Sequence, residues 1–247
     1  RCRIVPPSSL PTMTLPLESR ANVVPDTPVR FAVLGCGRIG KMHAEMLARQ
    51  VPGASVSVVF DVVEAAAQAV AGDLGVRVAS SLDDAVNAED VDAVAICTST
   101  DTHVDAMVAA AVAGRAIFCE KPIHLDAERV RSCLAVVTET GAPLAVGFNR
   151  RFDPHFKEFK ARLDAGTIGA LEFVGITSRD PGPPPVAYIR VSGGIFRDMM
   201  IHDFDMARWL ATVDALADNG GLRSRFAFRV RDAEVFDGSP IPDDAAD

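Results

Sequence analysis

From Val29 onward, short apolar runs rich in β-branched residues alternate with Ala-rich segments of helical periodicity. No other feature of the chain restricts its fold as much. The runs are Val29–Leu34, Ser55–Phe60, Asp92–Cys97, Ala116–Cys119 and Pro143–Gly147. Each is apolar almost throughout, rather than at every second position, as strands buried on both faces must be. Between them, Ile39–Arg49, Val62–Leu74, Thr102–Ala113 and Ala127–Glu139 repeat apolar residues at helical spacing. Strands joined by helices of that length run parallel, so the pattern predicts an α/β unit, a doubly wound parallel sheet over residues 29–148. After Gly147 the pattern becomes an amphipathic helix (Phe152–Asp164), a β-like run (Leu171–Ser178), a Pro-rich loop (Pro181–Pro185) and a further helix from about Ile195 to Leu210. Residues 149–210 are therefore expected to form a partial α+β substrate domain.

The remaining chain and the composition narrow the functional class. Residues 1–28 hold six prolines and no periodicity, which predicts a disordered tail outside the fold. With 25 Lys+Arg against 33 Asp+Glu the net charge is −8, the wrong sign for a nucleic-acid partner. Hydrophobic residues make up 49%, ample for a core, yet no run approaches the roughly 18 uncharged apolar residues of a membrane span. The Pro-rich start lacks the apolar stretch of a secretory signal, so a cytoplasmic location is expected. The cysteines (Cys2, Cys36, Cys97, Cys119, Cys133) form no C-x-x-C pair and read as reduced, buried thiols.

The chemistry-bearing motifs sit at strand ends. Gly35-Cys-Gly-Arg-Ile-Gly40 follows the first strand and opens a helix. Its glycines suit a tight turn and a close backbone approach to a pyrophosphate, with Arg38 and Ile39 inside the same turn. Asp61 ends the second strand at the distance where a carboxylate receives a ribose diol, and the same charge repels the 2′-phosphate of NADP. NAD is the cofactor expected. Glu120-Lys-Pro122 ends the Ala116–Cys119 strand and places Lys121 at the carboxyl edge of the sheet, where it can steady a substrate oxygen or simply meet solvent.

Asp198 and His202 stand four apart in the expected helix, so one helical face carries both. Such a pair suits acid–base work at a hydroxyl, although a capped helix with a packed histidine fits the same spacing. Asp203 and Asp205 would point away from His202, so no metal site is expected. His103 follows a strand and the turn Thr98-Ser-Thr-Asp101, beside the presumed nicotinamide, whereas His43, His124 and His155 read as structural or solvated.

Together with Gly147-Phe-Asn-Arg-Arg-Phe-Asp153 and Gly193-Gly-Ile-Phe-Arg-Asp-Met-Met-Ile-His-Asp-Phe-Asp-Met-Ala-Arg208, these motifs resemble the Gfo/Idh/MocA oxidoreductases, and among them the members that oxidise inositol. The likeness spans about Val29–Leu210. It implies NAD-dependent oxidation of myo-inositol to scyllo-inosose in inositol catabolism, by a homotetramer. It also implies a catalytic lysine at Lys121, aspartate at Asp198 and histidine at His202. Thr98 and Ser99 then fall on the loop beside the nicotinamide, Glu120 among the cofactor-binding residues, and Asn149, Arg150 and Asp180 on the substrate side.

The likeness ends near Leu210, where family members continue. Residues 211–247 carry an arginine-dense stretch and a strand-like alternation over Phe226–Val230. A frameshift or truncation is the expectation for this tail, with an apolar face of the second domain left uncovered. Two other readings stand beside the inositol enzyme: an inactive fragment that only binds NAD, and a dehydrogenase of another sugar or cyclitol.

Overall fold

The structure, a computed structural model, describes residues 27–211 apart from 170, 172 and 181. The expected tail up to residue 26 and everything after Ala211, including the Phe226–Val230 alternation and the frameshift reading, lie outside the described residues. In chain order the elements are β1 (Val29–Leu34), α1 (Arg38–Arg49), β2 (Ala54–Phe60), α2 (Glu64–Leu74), β3 (Arg77–Val78), α3 (Leu82–Asn87), β4 (Ala93–Ile96), α4 (His103–Val112), β5 (Ala116–Cys119), α5 (Ala127–Thr140) and β6 (Leu144–Val146). Then follow α6 (Pro154–Asp164), α7 (Val186–Ile189), α8 (Ile195–Asp198) and α9 (Ile201–Leu210).

The six strands form one parallel sheet in the order β3-β2-β1-β4-β5-β6. This is the doubly wound order, in which β1 and β4 are neighbours and their connections leave in opposite directions. The side-chain period of two splits each apolar run between two cores. Leu34, Val58, Val94 and Ile96 pack with α3, α4 and α5 on one face. Val33, Val56, Val59 and Ala95 pack with α1 and α2 on the other. Leu34 and Ile96 are fully buried, and burial of such side chains is worth about 1.5–3 kcal/mol each.

Local chemistry sets the helix ends. Ser81 caps α3 by accepting from the Asp84 amide, and Asp126 caps α5 by accepting from the Glu128 amide. Asp153 caps α6, with Pro154 at its first position, where a missing N–H costs nothing. Gly75 and Gly141 close α2 and α5 in left-handed conformation.

Two expectations for the second unit need correction. The β-like run does not form a strand: Leu171 and residues 173–178 are irregular, because no described strand lies alongside to share a hydrogen-bond ladder. The helix expected over Ile195–Leu210 is two helices, broken after Asp198. Phe152, Phe159, Ile168 and Phe173 stand exposed on this unit. No helix among the described residues is long and apolar enough to cross a membrane.

Candidate active site

The glycine turn and the neighbouring β4 turn frame a cleft of about 590 Å³ above the β1–β4 boundary. Gly35, Gly37, Arg38, Ile39, Asp61, Thr98 and Ser99 all line it. The three glycines do different work. Gly35 has φ +88°, and a Cβ there would lie 2.6 Å from the Cys97 carbonyl carbon. A Cβ on Gly40 would fall 1.7 Å from the Gly35 carbonyl oxygen, so Gly40 packs helix against turn and does not line the cleft. Gly37 has nothing within 4 Å, which leaves backbone exposed where a phosphate group can approach.

Asp61 fastens the turn. Its Oδ2 accepts from the Cys36 amide at 2.6 Å and its Oδ1 from the Val63 amide at 2.8 Å. Both carboxylate oxygens keep lone pairs for hydroxyls arriving from the cleft. Cys36, in the glycine turn, and Cys97, in the cleft lining, are chemically quiet, since burial pushes their thiols up to about 11 and about 12.

His103 corrects an expectation. It is 2% exposed, with Nδ1 2.9 Å from the Pro122 carbonyl and Nε2 3.0 Å from the Thr98 carbonyl. It does not line the cleft and has no free nitrogen to offer a cofactor. Its imidazole instead ties the β4 turn to the turn that carries Lys121. Glu120, also placed on the cofactor side from sequence, is likewise outside the cleft lining. Its Oε1 accepts from His43 Nε2 at 2.7 Å, while Gly147 lies so close that a Cβ would come 3.1 Å from Oε2. Burial pushes the Glu120 carboxyl up, but the His43 and Lys121 contacts outweigh it and hold it below its ordinary range.

At the next residue the two units meet. Lys121 Nζ donates to the Asp198 carbonyl at 2.7 Å and to Asp198 Oδ1 at 3.2 Å, with both side chains about one-fifth exposed. Because the chain breaks after α8, Asp198 and His202 do not share a helix face. Asp198 closes α8, His202 lies in the first turn of α9, and no hydrogen bond joins them. The break lets the carboxylate turn to Lys121, while His202 stands edge-on to Phe148, ring centroids 6.3 Å apart.

His202 Nδ1 is buried and makes no hydrogen bond among the described residues. Burial and then the Lys121 and Arg150 cations push its pKa below the ordinary 6.5, and the Asp203 and Glu120 carboxylates only partly restore it. A neutral imidazole with an uncommitted buried nitrogen beside an ammonium is the arrangement a general base needs.

Of the substrate-side residues, Asn149 and Asp180 are exposed and make no hydrogen bond to this cluster. Arg150 is committed elsewhere: it pairs with Asp203, and Ser178 Oγ donates to the same Asp203 oxygen at 2.6 Å. Arg151 and Asp205 form a second, bidentate pair, with Nε to Oδ2 at 2.8 Å. The acids of α9 therefore anchor the Gly147–Asp153 segment against the helix that carries His202. Among the described residues no group of three His, Cys, Asp or Glu is placed to hold a metal ion.

Sequence spacing missed His43 and Tyr188. His43 shares a helix face with buried Gly40, three positions before it, a signal that it points inward, but nothing in the sequence names Glu120 as its partner. Tyr188 donates to Asp198 Oδ1 at 2.7 Å, a contact between two separate short helices that no periodicity encodes.

A Rossmann sheet with a glycine-turn cleft, and a lysine after β5 that meets a carboxylate and lies near a histidine, fits the class of NAD-binding oxidoreductases. The profile of the oxidoreductase family's NAD-binding Rossmann fold matches residues 29–148, and that of the GFO/IDH/MocA C-terminal domain matches residues 156–229. The chain belongs to the GFO/IDH/MocA oxidoreductase family. The second match runs past Leu210, where the resemblance read from motifs ends. The inositol 2-dehydrogenase of Rhizobium meliloti is 59% identical over 182 residues, which are 74% of this chain and 54% of that protein. The crystal structure of a myo-inositol dehydrogenase from Corynebacterium glutamicum superposes with TM-score 0.70 at 43% identity, over 74% of this chain and 55% of that one. A scyllo-inositol dehydrogenase from Lactobacillus casei, solved with bound NAD(H) and scyllo-inositol, gives TM-score 0.65 at 30% identity, over 75% and 57%. The chain spans about half the length of the relatives it matches.

Proposed function

We propose that the chain carries the cofactor-binding and acid–base machinery of an NAD-dependent dehydrogenase that oxidises myo-inositol to scyllo-inosose. The observation that carries this reading is the Lys121–Asp198 contact, on the turn that His103 ties to cleft-lining Thr98, with the nearby His202 holding a buried, unpartnered nitrogen. The residues fit the cofactor: the open backbone at Gly37 suits the pyrophosphate, and Asp61 suits the ribose of NAD rather than the 2′-phosphate of NADP. NAD, when bound, supplies the hydride acceptor.

The chain's own residues supply the rest. His202, kept neutral by its surroundings, takes the proton of the reacting hydroxyl. Lys121 steadies the oxygen as negative charge develops, and Asp198 holds the ammonium in position. Asn149 and Asp180, both exposed, remain proposed contacts for the polyol's other hydroxyls. Arg150 acts from behind, through Asp203.

Absorbance of NADH on mixing the chain with NAD and myo-inositol, alongside calorimetric titration of NAD, tests the proposal. Binding with turnover supports it; binding without turnover identifies a chain that only holds the cofactor. The complex of the Lactobacillus casei relative favours one second reading, a different inositol stereoisomer as substrate, which a panel of polyols decides. The exposed Phe152, Phe159 and Phe173 fit burial against another surface, and a homotetramer is the assembly we propose. Sedimentation measures it directly.

A further inference from the structure

Asp198 has a second donor besides Lys121. Tyr188, in α7, places its phenol oxygen 2.7 Å from Asp198 Oδ1. Lys121 Nζ contacts the same oxygen at 3.2 Å. Oδ1 is thus held between a hydroxyl from the second unit and an ammonium from the sheet edge. The other oxygen, Oδ2, makes no hydrogen bond among the described residues. We propose that Tyr188 is a positioning residue of the active site, fixing the Asp198 carboxylate so that Oδ1 faces Lys121 and Oδ2 is left for a substrate hydroxyl. The inference rests on the dehydrogenase reading and deepens it.

Two other roles for this tyrosine do not fit its surroundings. A packing role needs burial, and Tyr188 is 45% exposed. A role as acid or base needs a phenol that ionises near neutrality. Here burial, and then the bond to Asp198, push Tyr188 up to about 12, against a smaller opposing effect of the Arg38 cation. Tyr188 therefore stays protonated and acts as a donor, and the substrate proton is left to His202. The bond also links α7, after the Pro-rich loop, to the end of α8, so the loop's position and the carboxylate's orientation are set together.

Tyr188 is the chain's single tyrosine, so phenolate absorbance in the near ultraviolet reports it alone. At about pH 11, roughly a tenth of the wild-type phenol should be ionised, and several-fold more in Asp198→Ala, with circular dichroism confirming that both are folded. No change in ionisation in Asp198→Ala overturns the contact. Kinetics then read the role. Tyr188→Phe should lower kcat about tenfold with NAD affinity unchanged, and should cost less than about twofold when added to Asp198→Ala. Wild-type kcat in Tyr188→Phe, or an equal loss in both backgrounds, overturns the positioning role. Absence of polyol oxidation in the wild-type chain sinks the dehydrogenase reading instead, while the phenolate titration still decides the Tyr188–Asp198 link.

Discussion

Lys121 reaches across 77 positions of sequence to donate to the main-chain carbonyl of Asp198 at 2.7 Å, so the sheet edge grips the point where α8 gives way to α9. A main-chain acceptor holds the ammonium whatever side chain follows. Asp198→Ala should therefore remove only the Oδ1 contact, whereas Lys121→Ala removes both.

Turnover separates the members of the cluster. Lys121→Ala and His202→Ala should each lower kcat on the order of a hundredfold or more, with NAD affinity retained, since neither lines the dinucleotide cleft. Steady-state kinetics with calorimetry measures both. A variant with both substitutions that still oxidises polyol at the wild-type rate removes these residues from the mechanism.

The pH profile follows from His202. A base works only when neutral, and a pKa pushed below 6.5 keeps the imidazole neutral into more acid solution. The acid limb of kcat/KM is therefore expected below pH 6.5 and falls away as His202 becomes protonated. A limb at or above 6.5 contradicts the assignment of His202 as base.

Cofactor choice tests Asp61. Its carboxylate both receives the Cys36 and Val63 amides and lines the cleft, so Asp61→Ala should weaken NAD binding about tenfold and narrow the preference over NADP. Dissociation constants for the two cofactors in wild type and variant are the measurement. A wild-type preference for NADP refutes the argument.

The fingerprint glycines predict opposite failures. Gly40→Ala drives a methyl into the Gly35 carbonyl, and because backbone cannot yield cheaply, a loss of about 3 kcal/mol in urea unfolding is expected. Gly37→Ala meets nothing in the protein and should leave stability within about 0.5 kcal/mol while reducing NAD affinity.

His103→Ala should behave as a structural lesion. It strips partners from the Pro122 and Thr98 carbonyls and opens a buried gap, at about 2 kcal/mol or more. Unfolding midpoints report the loss, and NAD affinity per folded molecule should change far less than it does in Asp61→Ala.

Legibility in the sequence followed the range of the forces involved. Near-continuous apolar runs such as Ala93–Ile96 specify a strand buried on both faces, and the glycine turn specifies a cofactor cleft, because both depend on neighbours in sequence. β3 escaped notice because two residues, Arg77 and Val78, carry no periodicity. The break after Asp198 escaped because apolar spacing continues across it, and the Tyr188 and His43 contacts escaped because they join separate elements. His103 was misplaced for a related reason. Its position after β4 is that of a cofactor contact, yet burial between two carbonyls is decided by the Lys121 turn, 19 residues away.

The meeting of β1 and β4 at the centre of the sheet carries a consequence for descent and engineering. Leu34 and Ile96 fill the core from inside their strands, while Gly37 and Ser99, a few positions on, face the cleft from turns. Ligand preference can thus drift by exchange of turn residues while the interior is inherited unchanged. A designer can alter the recognition of a nucleotide at Gly37 or Ser99 without reopening the question of whether the scaffold holds together, provided Gly35, Gly40 and His103 stay.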